Sequence, residues 1–119
     1  TLGLPALILG ASFLMAACAG VPAPTEQMAL STAAVTSAAS AGGTETAPAE
    51  MQMARDKLNR AKLAMTKEDY DSARGLAEEA QVDAQLAEAK AHSGKAGKAA
   101  AELQESIRVL REELNRKNK

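Results

Sequence analysis

At 119 residues with a formal net charge of −1, the chain has room for one small domain. If a leader is removed, the remainder lies close to the lower limit for a self-sufficient core. Alanine supplies 28 of the residues and aromatics only 2%, a mixture that favours helix but contributes little buried area, so a thick globular core is excluded and elongated hairpins or bundles fit best.

Charge separates weakly along the chain: residues 19–87 carry 6 basic and 10 acidic side chains, residues 88–119 carry 8 and 5. Acids are interleaved in the basic tail and no stacking aromatics accompany it, so it reads as a solvated helix face and nucleic-acid binding is not expected. Leu2 to Ala17 is an uncharged apolar run. It is shorter than the roughly 20 residues that cross a bilayer and suits a secretory hydrophobic region. No basic segment precedes it and the chain opens on Thr1, so residues 1–18 are expected to be a signal peptide truncated at its own N-terminus. Met15-Ala16-Ala17-Cys18 resembles the bacterial lipobox, in which a hydrophobic residue and two small ones precede an invariant cysteine. That resemblance implies a diacylglyceryl group on the Cys18 thiol, cleavage before it and acylation of the new amino terminus, which together anchor a protein stably in a membrane. Ala19, in place of aspartate after the cysteine, implies outer-membrane sorting by similarity to enterobacterial lipoproteins. Cys18 is the single cysteine, so a disulfide within the chain is excluded.

Residues 19–24 form a short Pro-containing tether, and residues 25–119 an alanine-rich helical domain. A first helix is expected from about Thr25 to Ala41, with Glu26 in its first turn and Gly42-Gly43 stopping it. Residues 42–47 read as a loop, after which Pro48 takes a helix N1 position and Glu50 complements the dipole. Met51, Ala54, Leu58, Ala61 and Met65 recur at three and four and define one face of a second helix. Asp69 is an N-cap for a third helix, where Ala73, Ala77, Ala80, Ala84, Ala87 and Ala91 make a heptad-like seam of small residues, broadened by Leu76 and Leu86. Around His92 to Gly97 the phase slips, and Gly94 and Gly97 predict a kink or break. A new seam then follows at Ala96, Ala100, Leu103, Ile107, Leu110 and Leu114. A helix continuous from Tyr70 to Arg116 would be about 70 Å long, with i,i+4 pairs Glu112–Arg116 and Glu113–Lys117 in its distal half. The shorter helices cannot cover all of it, so Leu103, Ile107, Leu110 and Leu114 are expected to need a protein partner or self-association. The predicted class is all-α: a short helix, then an antiparallel pair with one long C-terminal helix, an elongated and coiled-coil-like hairpin.

The segments Ala47-Pro48-Ala49-Glu50, Ala54-Arg55-Asp56-Lys57-Leu58-Asn59-Arg60-Ala61, Asp69-Tyr70-Asp71-Ser72-Ala73-Arg74 and Asp83-Ala84-Gln85-Leu86-Ala87-Glu88-Ala89-Lys90-Ala91 resemble the bacterial domain-of-unknown-function 4398 family over most of residues 25–115. The resemblance implies a short Gram-negative envelope protein, often a lipoprotein. Some relatives add an OmpA-type peptidoglycan-binding domain, and no such domain stands in these residues. Asp69-Tyr70 with Ala73 is also similar to the second helix of a tetratricopeptide unit, which implies a peptide-gripping hairpin as an alternative role.

Candidate chemistry is sparse. His92 is the lone histidine and no ligand set stands at metal spacing beside it. Gly94-Lys95-Ala96-Gly97-Lys98 lacks the first glycine and the Ser/Thr of a phosphate loop. Glu78 and Glu79 are adjacent and diverge on a helix, and Tyr70 is expected to pack between helices and close the hairpin. No enzyme activity, metal or cofactor is therefore expected. Lys119, following Asn115 to Asn118 at the end of a helical lipoprotein, is similar to the terminal lysine of the major outer-membrane lipoprotein, which is cross-linked to peptidoglycan. The overall expectation is a periplasm-facing envelope protein held to the outer membrane by its N-terminal lipid.

Overall fold

The computed structural model describes residues 20–119; Cys18 and the rest of the leader lie outside the described residues. Four helices follow in order: α1 (Thr25–Ser40), α2 (Gly43–Thr46), α3 (Pro48–Thr66) and α4 (Tyr70–Lys117). The class is all-α, with a long C-terminal helix antiparallel to α3.

Local chemistry sets the boundaries. Ala41 caps α1, its N–H donating to the Ser37 carbonyl at 2.9 Å, and Gly42 then takes a left-handed φ of 96° that turns the chain. The expected loop at 42–47 instead holds one helical turn, α2, closed by Thr46 N–H to Gly42 O at 3.1 Å and Ala47 N–H to Gly43 O at 2.8 Å. Gly-Gly-Thr-Glu-Thr has poor helix propensity, so this turn owes its form to packing: Gly43 is buried against the Ala38 backbone and Met51. Pro48 opens α3 as anticipated, and Met51, Ala54, Leu58 and Ala61 are buried. Ala64, and not Met65, continues that face, three residues on from Ala61; Met65 is only half-buried.

Between α3 and α4 the chain reverses in three residues. Glu68 N–H donates to Met65 O at 3.1 Å and Asp69 N–H to Ala64 O at 3.0 Å, with Glu68 at φ 58°. This is the Schellman arrangement, with glutamate where glycine is usual. Asp69 at once caps α4, its carboxylate accepting from Ser72 N–H at 3.2 Å.

Cross-chain pairs give the helix directions. Gln27 Nε2 donates to Gln81 Oε1 and Ser37 Oγ to Glu88 Oε1, both at 2.8 Å, so α1 runs parallel to α4. Lys57 pairs with Glu79 and Asp83 while Lys90 pairs with Glu50, so α3 runs antiparallel to it. The result is an up-down-up three-helix bundle whose centre is Ala38, Ala47, Met51, Ala54, Ala84 and Ala87. Alanine lets the backbones approach closely, and the buried side of α4 is alanine throughout, from Ala73 to Ala91.

α4 is continuous through Gly94 and Gly97, 48 residues or about 72 Å, so of the expected kink or break the break is absent. Neither glycine is forced: a Cβ on Gly97 would meet nothing within 4 Å, and one on Gly94 only Thr46 Cγ2 at 3.9 Å. Good helix formers on both sides carry the helix through the two glycines. No helix among the described residues is long and apolar enough to cross a membrane.

Candidate functional site

The bundle has two unlike poles. At one, Gly20 and Val21 of the tether meet the α3–α4 turn around a shallow cleft of about 320 Å³ that Tyr70 helps to line. Tyr70, expected to close the hairpin, is half-buried at this cleft. It is the first residue of α4, and helical side chains lean toward the N-terminus, which carries its half-buried ring toward this pole. At the other pole α1 and α3 join beside Lys95, and α4 goes on alone. Every residue from His92 to Lys119 is exposed, and the helical part of that segment is about 39 Å long.

Ion pairs lock α3 to α4. Lys57 Nζ lies 2.8 Å from the buried Asp83 Oδ2 and 3.2 Å from Glu79 Oε2, one ammonium serving two carboxylates. Its donation to Asp83 and then to Glu79 holds the lysine above its ordinary range. Lys90 donates to Glu50 and holds that carboxyl below the usual carboxylate range. His92 Nε2 lies 3.7 Å from Glu88 Oε1, one turn back, so a carboxylate does stand near it. Among the described residues no group of three His, Cys, Asp or Glu side chains converges as a metal would require.

Of the residues singled out from the sequence, Leu103, Ile107, Leu110 and Leu114 lie on one face of the projecting helix, 62%, 40%, 59% and 61% exposed. Lys119 is exposed just past the end of that helix. Arg108 on the opposite face is held between Glu105, at 2.6 Å, and Glu112, at 2.5 Å. Glu112 thus pairs one turn back with Arg108, not forward with Arg116, because Arg108 can bridge two carboxylates at once, and Glu113–Lys117 is not among the ion pairs of the described residues. Donation to Glu105, and to Glu112 as well, raises Arg108, while Glu105 is lowered in turn.

The continuous helix changes what the distal seam is. Counting back from Ala96 in steps of three and four reaches Ser93, Ala89, Leu86 and Val82, and Val82 and Leu86 are 63% and 47% exposed. Leu86 therefore faces solvent and does not broaden the buried alanine stripe as anticipated. Two seams run along α4 on opposite sides. The buried one ends at Ala91, and its continuation is mostly polar or small, through Gly94, Lys98, Ala101, Glu105, Arg108 and Glu112, with the exposed Val109 beside them. The open one runs unbroken from Val82 to Leu114, about 48 Å, with no phase slip. Sequence reasoning missed its proximal half because alanine occupies both faces near residues 84–91 and hides the phase of each. The spacing of Val82 and Leu86 to Leu103 was the available signal.

An alanine-packed three-helix bundle that extends one amphipathic helix beyond its own core is a scaffold for helix–helix contact rather than for a pocket. The family model described as Domain of unknown function (DUF4398) matches residues 26–103, and the chain belongs to that family. The crystal structure of a DUF4398 family protein from Pseudomonas aeruginosa PAO1 is similar, 42% identical with a TM-score of 0.75, over 79% of this chain and 97% of that one. No curated protein matches. Ile107, Leu110 and Leu114 lie beyond the residues that the family model matches.

Proposed function

We propose that this chain is a lipid-anchored structural or adaptor protein of the bacterial cell envelope, facing the periplasm and acting by helix–helix interaction. The observation that carries the reading is the open apolar seam of α4, exposed over its whole length while the opposite face is buried up to Ala91 and mostly polar or small beyond it. A solvated helix with no partner has no physical need for Leu103, Ile107, Leu110 and Leu114 in register, since each exposed leucine forgoes roughly 1.5–3 kcal/mol of burial. The lipobox-like Met15 to Cys18 supports the anchor, and the tether enters at the pole opposite the one from which α4 departs. An anchored bundle would therefore hold its seam well away from the lipid attachment point. The tetratricopeptide-like alternative is less well supported, because α1 packs against both helices of the α3–α4 hairpin and the open apolar surface lies elsewhere.

Two measurements test the proposal. Metabolic labelling with a fatty-acid analogue should mark the wild-type protein and not Cys18→Ser; label that persists in the variant would remove the anchor. A photo-crosslinker at position 107 of the lipidated protein, activated in cells, should yield a discrete adduct, and its absence would remove the docking role.

A further inference from the structure

The seam has a geometry that selects its occupant. We propose that it is a second copy of this chain, the two α4 helices running antiparallel about a two-fold axis at the level of residue 98. This rests on the reading of the seam as a helix-docking surface and adds the identity and orientation of the partner.

Full overlap of a seam that runs from Val82 to Leu114 centres the pair between Ala96 and Ala100. In that register Leu114 meets the second copy's Val82, Leu110 meets Leu86, and Ile107 meets Ala89. Leu114 and Ile107 lie over smaller side chains, Leu110 meets an equal leucine, Leu103 meets Ser93, and the small residues at the centre let the backbones approach. The stripe is about 48 Å long and about 10 Å wide on each copy, of the order of 1,000 Å² together, enough for a specific interface at the lower end of size. The bundles do not obstruct it, because α1 and α3 cover the opposite side of α4.

Charge decides the orientation. One step beyond the apolar layers, Glu79, its side chain 61% exposed, comes level with Lys117 of the other copy, while Asp83 is turned toward Lys57. Lys57 is shared between Glu79 and Asp83, so that patch keeps net negative charge for the incoming cation. A parallel pair in the same overlap would set Glu79 against Glu79 and Lys117 against Lys117, both repulsive. The antiparallel pair also puts the two tether poles about 84 Å apart, so two copies anchored in one membrane would lie along it.

The test uses the full chain with Cys18→Ser in detergent. Sedimentation equilibrium should give a dimer. Leu110→Asp should give a monomer with unchanged helical circular dichroism, since Leu110 is exposed on the part of α4 that projects beyond the bundle. Lys117→Glu, which sets like charges against Glu79, should weaken the dimer about tenfold or more. Val82→Cys and Leu114→Cys, each added to this background, should form a disulfide when mixed under mild oxidation, and neither should self-link. A Leu114→Cys chain that links to itself would overturn the antiparallel orientation and leave the docking surface standing. A monomer at all concentrations, whose position-107 crosslinker captures a different envelope protein, would overturn the second copy as occupant but keep the adaptor role. A monomer that captures nothing would overturn both.

Discussion

Glu68 occupies the left-handed position that ends α3, where an L-residue costs roughly 1–2 kcal/mol relative to right-handed backbone. Glu68→Gly should therefore stabilise the bundle by up to about 1 kcal/mol, the greater freedom of glycine in the unfolded chain offsetting part of the gain. Urea denaturation followed by helical circular dichroism measures it, and a loss of stability would show that the Glu68 side chain holds the turn. Gly43 is the converse case. A Cβ there would stand 2.8 Å from the Ala38 carbonyl oxygen and 3.2 Å from Met51 Sδ, so Gly43→Ala should cost about 1–3 kcal/mol by overpacking. The Pro48 N1 position, the Asp69 cap and the Gly42 stop were all legible in the sequence, because each depends on backbone chemistry within a few residues. The αL glutamate was not, since nothing local favours it.

At the scale of elements, the bundle holds few large side chains, and Met51 is the one hydrophobic among them that is essentially fully buried. Met51→Ala should cost about 2–5 kcal/mol, because rigid alanine neighbours cannot collapse into the space it leaves. A loss well under 1 kcal/mol by the same denaturation would mean that the alanine seams hold the helices together unaided. The Glu50–Lys90 pair adds a pH dependence. Glu50 titrates lower in the folded chain than in the unfolded one, so its contribution is present above the ordinary carboxylate range and is lost as pH falls through the depressed folded value. The melting temperature of the wild type should drop more steeply than that of Glu50→Gln on acidification below that range, and added salt should shrink the difference because Lys90 is half exposed. Lys57 gives the opposite sign. Its stabilisation is present below the ordinary lysine range and is lost as pH rises through the raised folded value.

The whole molecule divides into a bundle that is self-contained and a helix that is not. Residues from His92 onward are exposed throughout, so truncation after Gly97 should leave the unfolding free energy of the bundle unchanged within about 0.5 kcal/mol, measured where the chain is monomeric. A larger loss would mean that the projecting helix supports the core. At concentrations where the inferred dimer forms, the full-length chain should gain stability over the truncated one by mass action.

The sequence alone determined the helical class, most helix boundaries and the buried faces of α3 and α4, because helical periodicity, caps and breakers act over one or two turns. It also marked Leu103, Ile107, Leu110 and Leu114 as a stripe without a partner inside the chain. Only the tertiary structure decided that α2 forms, since Gly43 must be packed to hold that turn. It also showed that Leu86 faces solvent and that the distal stripe begins at Val82. Those answers depend on which side of α4 the other two helices cover, and an alanine-rich helix with apolar residues on both sides does not announce that choice in its own spacing.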